Sequence, residues 1–280
     1  MKKILFASAL LLTLRLVAQE SNKQILGPRL TETALFLDPT EIQMFASITA
    51  LADQEVSEYQ YIPFGFGASF SLWGKQLSEE KAWEVFGELG TFTQFEWAIV
   101  DNEQQRNLLN TDYKAAVSYS RKISTLWTYR LRFFHVSSHL GDDFVFRRGI
   151  KSHTTNKVNY EQLELSVFRN FKGDKRLNAG VASIVRPNAL RLPFSFHLGY
   201  NQELWKRENH WGITYGAFLK CMQEHEFNPA IKLGIGPTFY TEHKKEPLRI
   251  VFEYYKGNLP YSQYEFNEIE WFGLGLYFYL

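Results

Sequence analysis

The chain has 280 residues, a formal net charge of +1, a single Cys and 16% aromatic residues, with 24 Phe, 15 Tyr and 7 Trp. So balanced a charge offers no basic surface for nucleic acid, and Cys221 alone cannot build an intrachain disulfide framework. Abundant aromatics, slightly negative mean hydropathy and no apolar run of roughly 20 residues after the start exclude a helical membrane protein and favour many half-apolar strands.

Residues 1–19 read as a secretory signal, with Lys2 and Lys3 ahead of the apolar stretch Ile4 to Leu14 and a small-residue cut site at Leu16-Val-Ala18. That segment predicts export. Residues 20–40, broken by Pro28 and Pro39, read as a periplasmic lead-in. Residues 41–280 then form one domain. Its first strand, Glu41 to Leu51, alternates poorly.

Further along, the period of two is clear. Tyr113, Ala115, Val117 and Tyr119 oppose Lys114, Ala116, Ser118 and Ser120, and Leu163, Leu165 and Val167 oppose Gln162, Glu164 and Ser166. The same pattern recurs at Leu190–Gly199, Trp211–Lys220, Ile231–Phe239 and Leu248–Tyr255. Segments of about ten residues with one apolar face and one polar or glycine face are the pattern of a transmembrane β-barrel.

Short charged links near 77–81, 121–124, 172–175, 206–209 and 243–247 alternate with longer ones near 53–59, 101–110, 139–157, 186–189, 223–227 and 258–267. Tight periplasmic turns and larger external loops alternate in this way. The count gives about twelve strands, so the expected fold is an all-β, antiparallel transmembrane β-barrel in the bacterial outer membrane. Phe272, Leu274, Leu276, Phe278 and Leu280 share a face of the last strand, as in a C-terminal signal for the barrel-insertion machinery.

The inward face sets Glu84, Glu88, Glu96, Glu164 and Glu253 against Lys114, Arg130, Arg132, Lys220, Lys232 and Arg249. In a narrow barrel such side chains cross-link and fill the lumen; a small-solute pathway is the alternative. His197 beside Ser195 reads as a lumen partner. His153, His210, His225 and His243 lack metal-ligand spacing.

The chemistry concentrates between Arg130 and Asp143. Trp127, Tyr129, Leu131, Phe133, His135 and Ser137 line the outward side of one strand, so an apolar stripe ends in a base and a hydroxyl. Counting back from the last strand makes Ser124–Ser138 the fifth, running outward, with 139–157 an external loop. His135 as general base on Ser137 would suit an acyl ester of phospholipid or lipid A at the outer leaflet. Ser138, His139, Asp142 and Asp143 are further candidates, the two aspartates as hard oxygen ligands for Ca²⁺. The competing reading makes His135 and Ser137 only the polar edge of the apolar belt.

Two resemblances follow from these residues. His135-Val-Ser-Ser-His-Leu-Gly-Asp-Asp143, Asn110-Thr-Asp-Tyr113, Glu253 to Tyr264, Leu37-Asp-Pro39 and Gly273-Leu-Gly-Leu276 resemble, in order, the signature segments of a bacterial family known only as a domain of unknown function. That resemblance implies an outer-membrane barrel and no activity. His135-Val-Ser137 is also similar to the His-x-Ser-Asn motif of outer-membrane phospholipase A and lipid A 3-O-deacylase, with Ser138 standing where those enzymes have Asn. This second resemblance implies that an Asn on the following strand, Asn156 or Asn159, orients the imidazole. The readings left open are a lipid acyl hydrolase, a narrow solute channel, and a structural or partner-binding barrel, with outer-membrane lipid or a second copy of the chain as partners.

Overall fold

The computed structural model describes residues 23–53, 59–147, 149, 158–186, 191–207, 210–241 and 244–278. Residues 1–19, read as a signal, lie outside them. Twelve antiparallel strands close into a barrel: β2 (Met44–Leu51), β3 (Tyr59–Gln76), β4 (Ala82–Val100), β5 (Glu103–Lys122), β6 (Trp127–Leu140), β7 (Asn159–Phe171), β8 (Lys175–Arg186), β9 (Phe194–Arg207), β10 (Trp211–Met222), β11 (Pro229–Thr241), β12 (Lys244–Asn258) and β13 (Glu268–Phe278). β13 pairs with β2, and β2 with β3, so the wall has no free edge. A short β1 (Lys23–Ile25) adds to β3 at Trp73–Lys75, below the reach of β2.

Period two sets which face each residue takes. Phe66, Leu89, Phe252 and Phe272 are each more than half exposed on the outside, while Glu84, Arg132, Ser118 and Glu253 are buried inside. That inversion is stable only where lipid replaces water around the wall.

The longer links gather at one end, with one exception. Residues 101–110 are not a loop. Asp101 and Asn102 alone make the turn, both at positive φ (52° and 65°), and Glu103–Asn110 already belongs to β5. Asp and Asn tolerate the left-handed region, and a two-residue turn of that kind matches the twist of the strands it joins. A short helix, α1 (Asp142–Arg147), follows β6.

The lead-in expected over 20–40 contributes to the interior. Residues 29–42 thread the lumen, with Leu35 and Leu37 fully buried. Glu84 accepts from Arg29 Nε (3.0 Å), the Thr31 amide (2.9 Å) and the Thr31 hydroxyl (2.6 Å). Glu41 receives two bonds from Arg132 (2.8 and 2.9 Å) and one from Arg130 (3.1 Å). Arg132 also reaches Glu88, Arg130 reaches Glu164, and Lys114 Nζ donates to the Thr40 carbonyl at 3.0 Å. Part of the inward charge therefore pairs through this inserted segment, which occupies the middle of the lumen, while a cavity of about 880 Å³ lined by Tyr61, Gln94, Glu96 and Leu109 stays open at the long-loop end.

Candidate active site at the long-loop end

The strand β6 points His135 and Ser137 outward and Ser138 inward. Across β6 and β7 the register sets His135 against Glu161 and Ser137 against Asn159. The Ser138 amide bonds the Val158 carbonyl at 2.9 Å, which makes that pair hydrogen-bonded. By alternation, 135/161 and 137/159 are non-hydrogen-bonded pairs, in which backbones approach to about 4.5 Å and side chains lie close. His135 Nδ1 stands 3.2 Å from Glu161 Oε1, and the side chains are 41% and 30% exposed. With Nδ1 held there, Nε2 is the nitrogen left for Ser137. Ser137 is half-buried. Among the described residues no hydrogen bond joins it to His135; the two stand about 7 Å apart along the strand, within reach of a χ1 rotation.

The remaining predicted residues separate. Ser138 faces the lumen, where Asn110 Nδ2 approaches its hydroxyl at 3.5 Å and Gln263 Nε2 donates to its carbonyl at 3.1 Å. Its place is structural, tying β5, β6 and the 259–267 link together. His139 is exposed and edge-on to Tyr113, with ring centroids 5.8 Å apart. Asp142 and Asp143 open α1, and among the described residues no group of three or more His, Cys, Asp or Glu could hold a metal ion. Asn156 lies outside the described residues, and Asn159 is opposite Ser137 instead of His135. The residue that does meet the imidazole, Glu161, was missed. Its signal was available: Glu161 has the same parity as Leu163 and Leu165, so it places a carboxylate in an outward, lipid-facing row.

The described start of the link above the site, Gly141–Arg147, packs against β5. A Cβ on Gly141 would lie 1.9 Å from the Leu108 carbonyl oxygen, so only glycine lets the chain turn against β5 there. Arg147 then donates to the Arg106 carbonyl at 3.1 Å and to Asn107 Oδ1.

The family described as "protein of unknown function (DUF1207)" matches residues 23–280. The chain belongs to it. Three of the signature segments, those holding Asn110, Ser138 and Gln263, meet at this end of the barrel through hydrogen bonds. No curated protein matches the sequence. Among solved structures, outer membrane phospholipase A from Escherichia coli is similar at 12% identity and a TM-score of 0.57, covering 90% of this chain and 95% of that one. The Salmonella typhi outer membrane phospholipase, solved as a dimer with bound calcium, is similar at 12% identity and a TM-score of 0.57, covering 84% and 90%. At such identity the likeness shows the fold: an outer-membrane β-barrel.

Proposed function

We propose that this DUF1207 protein is an outer-membrane lipid acyl hydrolase whose machinery is Ser137, His135 and Glu161, with Asn159 beside them. One observation carries the reading: the 3.2 Å contact between His135 Nδ1 and a carboxylate on the outward face, next to an outward serine. A carboxylate in an outward row is costly unless it is paired; Glu161 stands between His135 on β6 and Arg186, its register partner on β8, and the contact it makes is with the imidazole. Holding a general base in one tautomer is a use for that contact.

In the proposed reaction, His135 Nε2 takes the Ser137 proton as Oγ bonds to the ester carbonyl carbon. Collapse of the tetrahedral intermediate breaks the bond to the alcohol oxygen, which leaves with the proton from His135. Water repeats the sequence on the acyl-serine, releasing the fatty acid and restoring the hydroxyl. Backbone amides of an inner strand are engaged in the ladder, so the oxyanion donor must be a side chain or a bound cation. The Asn159 carboxamide, opposite Ser137, is the protein group in position. The Salmonella phospholipase is a dimer with bound calcium, so a calcium ion and a concentration that allows a second copy of the chain are the additions to supply in an assay.

The segment 29–42, tied to Arg132 and Lys114 across the lumen, supports this reading over a wide solute channel. The test uses purified protein in detergent with phospholipid or lipid A, with and without Ca²⁺. Fatty acid release by the parent protein and not by Ser137→Ala is the expected result. Equal release from both removes the hydrolase reading.

A further inference from the structure

Beside the candidate site, the outward wall is dented. Two cross-strand rows run past it: Leu89, Ala115, His135 and Glu161 in one, and Phe66, Thr91, Tyr113, Ser137 and Asn159 in the other. Phe66, Leu89 and Tyr113 each stand at least half exposed, while between Leu89 and His135 the row drops to the single methyl of Ala115. The result is a lipid-facing groove of about 340 Å³, almost wholly apolar, lined by Phe66, Leu89, Thr91, Tyr113, Ala115 and His135.

We infer that this groove seats one long acyl chain of a membrane lipid, holding its ester carbonyl at Ser137. The inference rests on the hydrolase reading and adds the place on the wall where the acyl chain of the substrate lies. The occupant follows from the setting. The groove opens into the apolar belt, where the surrounding molecules are acyl chains, and it is continuous with His135. From Ser137 it extends one row toward the middle of the wall, the direction a chain takes from an ester at the interface. Leaving bulk lipid for the groove removes no apolar surface from water, so there is no hydrophobic gain; the gain is van der Waals contact and a fixed orientation. Its effect therefore falls on the rate of reaction at Ser137 and depends on chain length.

The test uses the full chain in detergent micelles and two fluorophosphonates, one with a methyl and one with a hexadecyl chain. Each reacts by bond formation between Ser137 Oγ and phosphorus, with loss of fluoride and transfer of the proton to His135. Ala115→Trp fills the groove, and Val117→Trp, one row further along the same strand and outside the groove, is the control. The ratio of long-chain to methyl labelling is expected to fall about tenfold in Ala115→Trp, and neither rate to change in Val117→Trp. Both rates unchanged, or both reduced together, in Ala115→Trp overturns the groove as a chain seat while leaving the hydrolase reading intact. Failure of both probes to label the parent protein at Ser137 overturns that reading and this one with it. A final arm adds phospholipid or lipid A to the micelles. Slower hexadecyl labelling with one of them supports the seat and identifies the source of the chain; no slowing by either overturns it.

Discussion

The Nδ1 atom of His135 and the Oε1 atom of Glu161 stand 3.2 Å apart on the outer surface of the barrel, on directly opposite residues of β6 and β7. Position and chemistry agree here. A non-hydrogen-bonded pair brings the two side chains together without help from any loop, so the ladder itself holds the imidazole's orientation.

Replacing Glu161 by Gln keeps the size and removes the charge. Acyl release is expected to fall by up to about 10⁴-fold, the loss seen when the carboxylate behind a catalytic histidine is neutralised. Folding should be untouched, because the side chain is at the surface and belongs to no buried network. Rates on a long-chain ester beside the detergent-gel mobility of the folded barrel check this, and a Glu161→Gln protein with parental rates would remove Glu161 from the machinery.

The wall was legible in the sequence because lipid outside and charge inside enforce a period of two on every strand. Glu103–Asn110 escaped because that part of β5 lacks the apolar outward row: Gln104 and Arg106 stand outward, and the register shift at Leu109 reverses the parity read from Tyr113 and Ala115. Glu161 was concealed differently. A motif analogy directed attention to asparagines, while the parity of Leu163 and Leu165 already placed a carboxylate on their face. The lumen segment had no periodic signal at all. Leu26 and Leu37 take positive φ, Pro28 and Pro39 interrupt, and its partners are as distant in sequence as Arg132 and Arg176.

Glu41 joins that segment to the wall, and its removal should be costly. With Glu41→Ala, Arg130 and Arg132 lose a shared buried counter-charge, and breaking a buried pair from one side costs about 3–5 kcal/mol. A lower urea midpoint in detergent is expected, together with faster protease cleavage within residues 29–43. Planar-bilayer recordings complete the test: a silent parent and a conducting Glu41→Ala protein would show that the segment is the seal.

The Asp101–Asn102 turn offers a change of opposite sign. Asn102 already holds φ at 65°, so Asn102→Gly relieves a left-handed side chain and is expected to stabilise the hairpin by about 0.5–1 kcal/mol. Asn102→Val should destabilise it by more, since a branched Cβ is poorly accommodated there. Amide exchange at the tips of β4 and β5 measures both.

His225 provides a pH dependence outside the membrane-spanning strands. Burial, then the positive charges of Arg191 and Lys220, push its pKa down to about 4, with Glu224 opposing, and its ring lies edge-on to Phe266 at 5.7 Å. Between the ordinary histidine value of about 6.5 and 4, the unfolded chain binds a proton that the folded one does not. Stability is therefore unaffected above pH 6.5 and declines as the pH falls toward 4. The 223–228 and 259–267 links should exchange amides faster at pH 5 than at pH 7 after correction for intrinsic rates, and His225→Phe should abolish the difference.

A chain segment enclosed by the wall that follows it imposes an order on biogenesis. Residues 29–42 precede β2, and β2 is the strand that meets β13 to complete the circle. The seam between first and last strands therefore closes beside the segment it encloses, and the Glu41 contacts with Arg130 and Arg132 couple the two steps. Variants that weaken the Arg130 and Arg132 contacts should accumulate as open, unsealed sheets, a defect of timing visible before any loss of finished barrels.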